Sequence, residues 1–312
     1  MSKQLRADFM LLLVTLFWGV SYLLLNLCLT EMGPLTLNAY RFLIAFFAAL
    51  IVAFPKLRNV NKITLKYSAL IGFSLLFVYL GVTYGVLYTS LSNAGFLCAL
   101  TVIITPILTF IMKKERPGKK MLLVLGLCLI GIGMMTLNEQ LKPALGDLLC
   151  ILCAFAYAID LLIVDSAVHK EHVDAFQVGV YQLGFTGLYM FVMSLALEKP
   201  VLPSTTGVWI ALLFLAIFCT GIAFIVQVVA QQYTSATHVG IIFALEPVFA
   251  GIVAFFFANE RLYPRAYVGA CLLMAGILIM EINFSAFFLK RKTLPEDKEE
   301  FAVDEEAQRL KN

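Results

Sequence analysis

Ten runs of mostly apolar residues, each close to the roughly 20 that a helix needs to cross a hydrocarbon core, leave this chain few architectures. They cover residues 8–29 (span 1), 34–54, 66–87, 92–112, 120–137, 147–167, 174–197, 206–232, 236–257 and 264–286 (span 10). The runs are too long, and alternate too little, to be barrel strands. In lipid a helix satisfies its own backbone donors and acceptors, so the chain reads as an all-α integral membrane protein of ten transmembrane helices. Composition agrees: 61% of the 312 residues are hydrophobic and 14% charged, whereas soluble domains carry roughly a quarter charged residues. A net charge of +3, with no basic patch interleaved with aromatics, excludes a nucleic-acid partner.

Span 1 follows Lys3 and Arg6 as a signal sequence would. Its apolar run, Phe9 to Leu29, exceeds the roughly 7 to 15 residues of a cleavable core and lacks a small-x-small site, so it reads as a retained helix. All seven cysteines lie in apolar spans, where a thiol behaves as a small hydrophobe. Cys150-x-x-Cys153 has redox or zinc spacing but no second ligand pair, and reads as packing with no metal. Fifteen Lys and Arg fall on the side that holds the N-terminus, against four (Lys142, Lys199, Arg261 and Arg265) on the other. Cytoplasmic loops retain positive charge, which places both termini in the cytoplasm. Residues 287–312 form a polar cytoplasmic tail.

Sliding the sequence by 145 positions lays Tyr88–Arg116 on Tyr233–Arg261 without a gap. Tyr88/Tyr233, Thr89/Thr234, Ser90/Ser235, Gly95/Gly240, Leu100/Leu245, Glu115/Glu260 and Arg116/Arg261 coincide. The match continues at Gly131/Gly276 and Met135/Met280, and a weaker echo at an offset of 139 pairs Asp8 with Asp147, Trp18 with Tyr157 and Asn26 with Asp165. The larger offset carries span 4 onto span 9, an odd number of crossings, so the second copy enters the membrane inverted. The chain divides into a first five-helix repeat, residues 1–137, a second and inverted one, residues 138–286, and the tail. Inverted repeats of this kind build two pseudo-symmetric gates around a central site in secondary transporters.

Phe17-Trp18-Gly19 in span 1, the Tyr-Thr-Ser lead into spans 4 and 9, Ala244-Leu245-Glu246-Pro247-Val248-Phe249, and the Glu-Arg pair closing that unit carry a resemblance. Together they resemble the EamA-type family of the drug/metabolite transporter superfamily, over nearly all of residues 8–284. The resemblance implies a bacterial cell-membrane transporter with a duplicated five-helix unit, commonly an exporter of amino acids and related metabolites. This sequence departs from symmetry at one place: Thr101-Val102 stand opposite Glu246-Pro247, and the proline of span 4 comes later, at Pro106.

Three charged side chains lie well inside the hydrocarbon: Arg41, Asp160 and Glu246. Each costs a few kcal/mol on a lipid-facing surface, so each should face the bundle interior or a partner. Glu246 reads in two ways, as a desolvated carboxylate that accepts a proton or a substrate amine, or as a cap for donors freed where Pro247 interrupts the helix. Asp160 has no neighbouring helix breaker and leans towards coupling. Arg41 is a clamp for a substrate carboxylate or a partner of the acids, against a side chain that snorkels outwards. Asp8, Asp147, Asp165 and Glu281 read as interfacial, and His238 as a solvated cap.

Helical spacing aligns Thr15, Trp18, Tyr22 and Asn26 on span 1, and Thr220, Gln227 and Gln231 on span 8. On span 3 it aligns Phe73, Phe77, Gly81, Tyr84 and Tyr88. These stripes are expected to point inwards. Asn38, Gln177 and Tyr181 extend the surface. The expected substrate-binding set is therefore Trp18, Tyr22, Asn26, Asn38, Arg41, Tyr84, Tyr181 and Gln227. The coupling and gating set is Asp160, Glu246, Pro247 and Pro106.

The leading function is a secondary transporter for a small organic solute, with no P-loop through which ATP could drive it. A channel or receptor is the alternative. An intramembrane enzyme using Asp160 with Asp165 or Glu246 is disfavoured by the lack of His-Glu-x-x-His and Gly-x-Ser-x-Gly motifs. The expected partners are a substrate, the lipid bilayer, protons and a second copy of the chain, with no cofactor.

Overall fold

The computed structural model describes residues 3–89, 91–114, 118–136, 145–257 and 264–281. Ser90, the closing pairs Glu115-Arg116 and Glu260-Arg261, Lys142 and the tail lie outside the described residues. Among the described residues the regular structure is helical: α1 (Lys3–Cys28), α2 (Pro34–Leu57), α3 (Lys62–Tyr88), α4 (Leu91–Ala99), α5 (Thr101–Lys113), α6 (Lys119–Thr136), α7 (Leu145–Val168), α8 (Ala175–Leu197), α9 (Thr206–Ala216), a π-helical turn (Ile217–Ile222), α10 (Ala223–Gln231), α11 (Ala236–Phe243), α12 (Glu246–Phe257) and α13 (Pro264–Glu281). Helix starts carry their own signals. Pro34 opens α2, where a missing N–H costs nothing, and Asn61, Asp174, Thr205 and Ser235 each accept a hydrogen bond from a backbone N–H three residues on.

Helix occupies every one of the ten apolar runs. Among the described residues seven stretches are long and apolar enough to cross a membrane: Lys3–Cys28, Pro34–Leu57, Lys62–Tyr88, Leu145–Val168, Ala175–Leu197, Thr206–Gln231 and Ala236–Phe257. Leu97–Met112 and Tyr267–Gly276 are shorter apolar stretches.

The run at 92–112 is broken at Leu100, and the break has a partner. In α4/α5 the N–H of Leu100 donates to Leu97 O, and the N–H groups of Ile103 and Ile104 both donate to Leu100 O (3.3, 2.9 and 3.1 Å). In α11/α12 Leu245 N donates to Ile242 O, while Val248 N and Phe249 N donate to Leu245 O (3.1, 2.9 and 3.2 Å). The three bonds in one span map onto the three in the other at the 145-residue offset. Each span tightens through a three-residue-reach turn and restarts, at Thr101 in one and Glu246 in the other. Pro247 is thus the second residue of a new helix, where proline is tolerated, and Pro106 lies within α5, away from the break. Span 9 is interrupted beside Pro247, as the sequence suggests, whereas span 4 breaks at the matching place with no proline there.

Close helix contacts use small residues. Gly81 of α3 leaves room for the Leu149 carbonyl of α7, and Gly85 for Cys150. A Cβ on Gly131 of α6 would meet Gly269 of α13, and one on Gly276 of α13 would touch Cys128 of α6. Gly19 seats α1 directly on α12: an added Cβ would lie 2.9 Å from the backbone nitrogen of Ala250. Gly19→Val is therefore expected to cost about 2 kcal/mol by overpacking. The check is thermal unfolding in detergent, where an unchanged midpoint would contradict this contact.

Two sequence expectations are overturned by packing. Phe73, Phe77 and Tyr88 of α3 are about half exposed, so that aromatic stripe faces outwards. Lipid accommodates a ring as readily as protein does, so aromatic spacing carries no inward bias. His238 and Asp8 are both buried and meet at 3.2 Å, Nε2 to Oδ1, joining α11 to α1 instead of standing in solvent.

Candidate functional site

Where α1, α2, α3, α7, α10 and the break of α11/α12 converge, they enclose a chamber of about 70 Å³. Its walls are mainly aromatic. Trp18 and Tyr22 come from α1, Tyr79 from α3, Tyr157 from α7 and Phe224 from α10, while Cys98 of α4 and Cys153 of α7 add sulfur. Two ionisable groups enter from different elements: Arg41 of α2, and Glu246 at the first residue of α12. The Tyr22 hydroxyl faces the Glu246 carboxylate. Pockets built around drug-sized ligands run to roughly 300–1,000 Å³, so the chamber has room only for a small group.

Arg41 is among the largest fully buried side chains. Its Nε donates to Thr220 Oγ1 at 2.8 Å, and its guanidinium carbon stands 4.8 Å from the centre of the Tyr79 ring. No carboxylate lies within 4 Å of it among the described residues. The charge is thus held by a neutral hydroxyl and an aromatic face, a cation–π arrangement strengthened by desolvation. Neither snorkelling nor pairing with Asp160 or Glu246 describes it.

The π-helical turn explains how span 8 reaches this centre. Thr220 Oγ1 donates to Leu215 O, five residues back, at 2.8 Å, a reach that the wider turn allows. The same turn leaves the Cys219 carbonyl available to Trp18 Nε1 at 3.0 Å, and Cys219 Sγ contacts Phe17 O at 3.2 Å. Phe17-Trp18-Gly19 therefore works as a unit: Trp18 is pinned to α9/α10 while Gly19 admits α12. Trp18 meets Tyr157 edge-on with ring centres 5.9 Å apart, so the two residues paired by the 139-residue offset touch at the middle of the bundle.

The other expected residues scatter. Gln227 is fully buried beside the chamber and accepts from the Tyr157 hydroxyl at 3.0 Å. Asp160 is buried, and neither carboxylate oxygen has a hydrogen-bond partner. The hydroxyl of neighbouring Ser74 donates to Ala156 O at 3.2 Å. Asn38 bridges Pro34 O and Thr83 Oγ1, both at 2.9 Å, between α2 and α3. Tyr181 donates to Leu57 O at 2.8 Å at one end of the bundle. Tyr84 reaches Glu198 at the opposite end and lines a separate apolar groove of about 730 Å³ between α3 and α7, on the outer face. Asn26 is exposed. Tyr79, Tyr157 and Phe224 escaped the sequence reading as wall residues, although the pairing of Tyr157 with Trp18 was a usable signal. Among the described residues no group of three or more His, Cys, Asp and Glu could hold a metal ion.

At each end of the bundle, side chains bridge loops. At the α1–α2 end, Glu31 accepts from Thr205 Oγ1 (2.6 Å), Ser204 N (2.6 Å) and Ser204 Oγ (3.0 Å). Beside it Glu198 accepts from Leu35 N (3.0 Å), Thr36 N (2.8 Å) and Thr36 Oγ1 (2.8 Å). Each carboxylate caps the helix that follows the other's loop, so the two loops hold each other. At the opposite end, where Asp8 of α1 meets His238 of α11, two further links are neutral. Gln177 Nε2 donates to Lys56 O at 2.8 Å, and Asn61 Nδ2 to His172 O.

The family model described as the EamA-like transporter family matches residues 5–137 and again 144–282. An uncharacterized transporter of Archaeoglobus fulgidus is 27% identical over 281 residues, covering 90% of this chain and 87% of the relative. The uncharacterized transporter YoaV of Bacillus subtilis is 24% identical over 87% of this chain and 95% of its own length. A solved crystal structure superposes with a TM-score of 0.72 at 17% identity, covering 93% of this chain and 99% of its own, a likeness of fold.

Proposed function

We propose, because the chain belongs to the EamA-like transporter family, that it is a secondary carrier moving a small organic metabolite, an amino acid or related solute, by alternating access. The observation that carries this reading is the small central chamber, with Arg41 and Glu246 entering from different helices. A solute bearing a carboxylate and an amine would span those two charges, and its apolar part would contact Trp18, Tyr79 and Tyr157. Ten helices in two inverted repeats, residues 1–137 and 138–286, would rock about this point. The matching backbone breaks at Leu100 and Leu245 support that division, as do the two separate family matches. Broken helices at a central site are a recurring device of such carriers.

The break repeats but its first side chain does not. Thr101 spends its hydroxyl on Cys98 O and Ala154 O, at 2.8 and 3.2 Å, whereas Glu246 presents a carboxylate to the chamber. Ion sensing therefore belongs to the second repeat, with export driven by proton exchange at Glu246 and Asp160. Both termini lie in the cytoplasm of the cell membrane, and a homodimer completes the assembly.

Counterflow into proteoliposomes, run with a panel of amino acids, amines and nucleosides, tests the reading. A carrier gives saturable counterflow with at least one panel member. Flux that rises without saturation would establish a channel instead.

A further inference from the structure

We infer that Thr220 is a positioning residue that fixes how Arg41 meets its ligand, making the chamber selective for a planar two-oxygen anion such as a carboxylate over its uncharged amide. The inference rests on the reading of Arg41 as a substrate clamp and adds the element that aims it.

The hydroxyl of Thr220 carries one proton. That proton is committed to the Leu215 carbonyl at 2.8 Å, so the oxygen turns a lone pair towards Arg41 Nε, also at 2.8 Å. Thr220 is fully buried and lies inside the π-helical turn, whose anchor on the first half of the chain is the bond from Trp18 to the Cys219 carbonyl. The guanidinium is consequently held at one edge by Nε and on one face by Tyr79. What remains for a ligand is the end of the fork, the paired Nη1 and Nη2, which matches two coplanar oxygens in bidentate fashion. A guanidinium free to rotate would offer its side edge and its end alike, and would also satisfy single acceptors. The π turn thus selects one of the binding modes open to arginine.

The test uses the full chain in proteoliposomes, with the amino acid that gives the largest counterflow in the panel and its carboxamide as paired probes. In the parent and in Thr220→Ser, the carboxylate should be favoured over the carboxamide by about tenfold or more in KM. In Thr220→Val, of nearly the same shape, KM for the amino acid should rise about tenfold and the preference collapse. The maximal rate should stay within about twofold. A Trp209→Phe background leaves Trp18 as the single tryptophan, and its emission reports on the turn. Unchanged emission in Thr220→Val alongside the raised KM supports the inference. A shifted emission would mean that the turn itself had collapsed and would overturn it, as would an unchanged KM and preference. Arg41→Gln separates the two layers: if it keeps the preference, the clamp reading fails, whereas loss in Arg41→Gln with none in Thr220→Val removes the role of Thr220 alone. Absence of saturable counterflow for every panel member would overturn both.

Discussion

Glu246→Gln is expected to lower proton-gradient-driven flux at least about tenfold while leaving gradient-free exchange of the same solute measurable. The substitution keeps the size of the side chain and its polar contact with Tyr22, and removes both the ability to cycle between charged and neutral forms and the charge offered to a substrate amine, so exchange should persist with a raised KM. Exchange needs the solute alone to carry the site across, whereas net gradient-driven transport needs the return step to carry a proton. Asp160→Asn should produce the same split for a different reason. Its carboxylate is buried without a hydrogen-bond partner, a costly state when charged, so removing the charge should also leave the thermal midpoint unchanged or higher. Proteoliposomes with and without an imposed pH gradient, plus unfolding in detergent, measure both effects. Full gradient-driven transport in the two variants would end the case for proton coupling at these acids.

What could be read from the sequence, and what could not, follows from how each residue finds its partners. Arg41, Trp18, Tyr22 and Glu246 were legible because a charge or a polar ring within an apolar span must turn inwards, and the structure brings these four to one chamber. Asn26, Tyr84 and Tyr181 were chosen by the same helical spacing but are met elsewhere. Spacing identifies a face of one helix without saying whether the chamber, another helix or lipid lies opposite. A backbone carbonyl such as that of Leu57 can satisfy a tyrosine at any depth. The break at Leu100 was hidden because nothing in Ala99-Leu100-Thr101 is a helix breaker, and the register of the repeat was the available clue. The π-helical turn was hidden altogether. It depends on Arg41 and Trp18, about 180 and 200 residues away in sequence, drawing on the Thr220 hydroxyl and the Cys219 carbonyl.

Glu198→Ala should open the α1–α2 end of the chamber. The carboxylate satisfies two N–H groups at the start of α2 as well as the Thr36 hydroxyl, and loss of such a cap costs about 1–2 kcal/mol. The cost falls only on the state in which the two loops meet, so the closed-to-open ratio at that end should drop by roughly 5- to 30-fold. Cys98 and Cys153 line the chamber and serve as internal reporters. Their modification by a membrane-impermeant thiosulfonate, applied from the Glu198 side with the other cysteines replaced, should accelerate by a similar factor. Glu31 supplies the pH dependence of the same closure. Its hydrogen bond from Thr205, followed by those from Ser204, holds the carboxyl below its ordinary value of 4.5. A depressed value means that this contribution to closure is present above pH 4.5 and is lost as the pH falls through the lowered value. The ratio of labelling in the parent to that in Glu31→Gln, which cancels the slower reaction of the thiols as their thiolate fraction falls, should therefore rise on acidification at the Glu198 side. A labelling rate that ignores both Glu198→Ala and acid would show that the two loops are not the barrier. The opposite end, closed by Gln177 and Asn61, carries no acid in these two links, so its opening should not follow pH through them. An inverted pair of repeats can in this way share one mechanism of closure while the residues that hold each mouth differ.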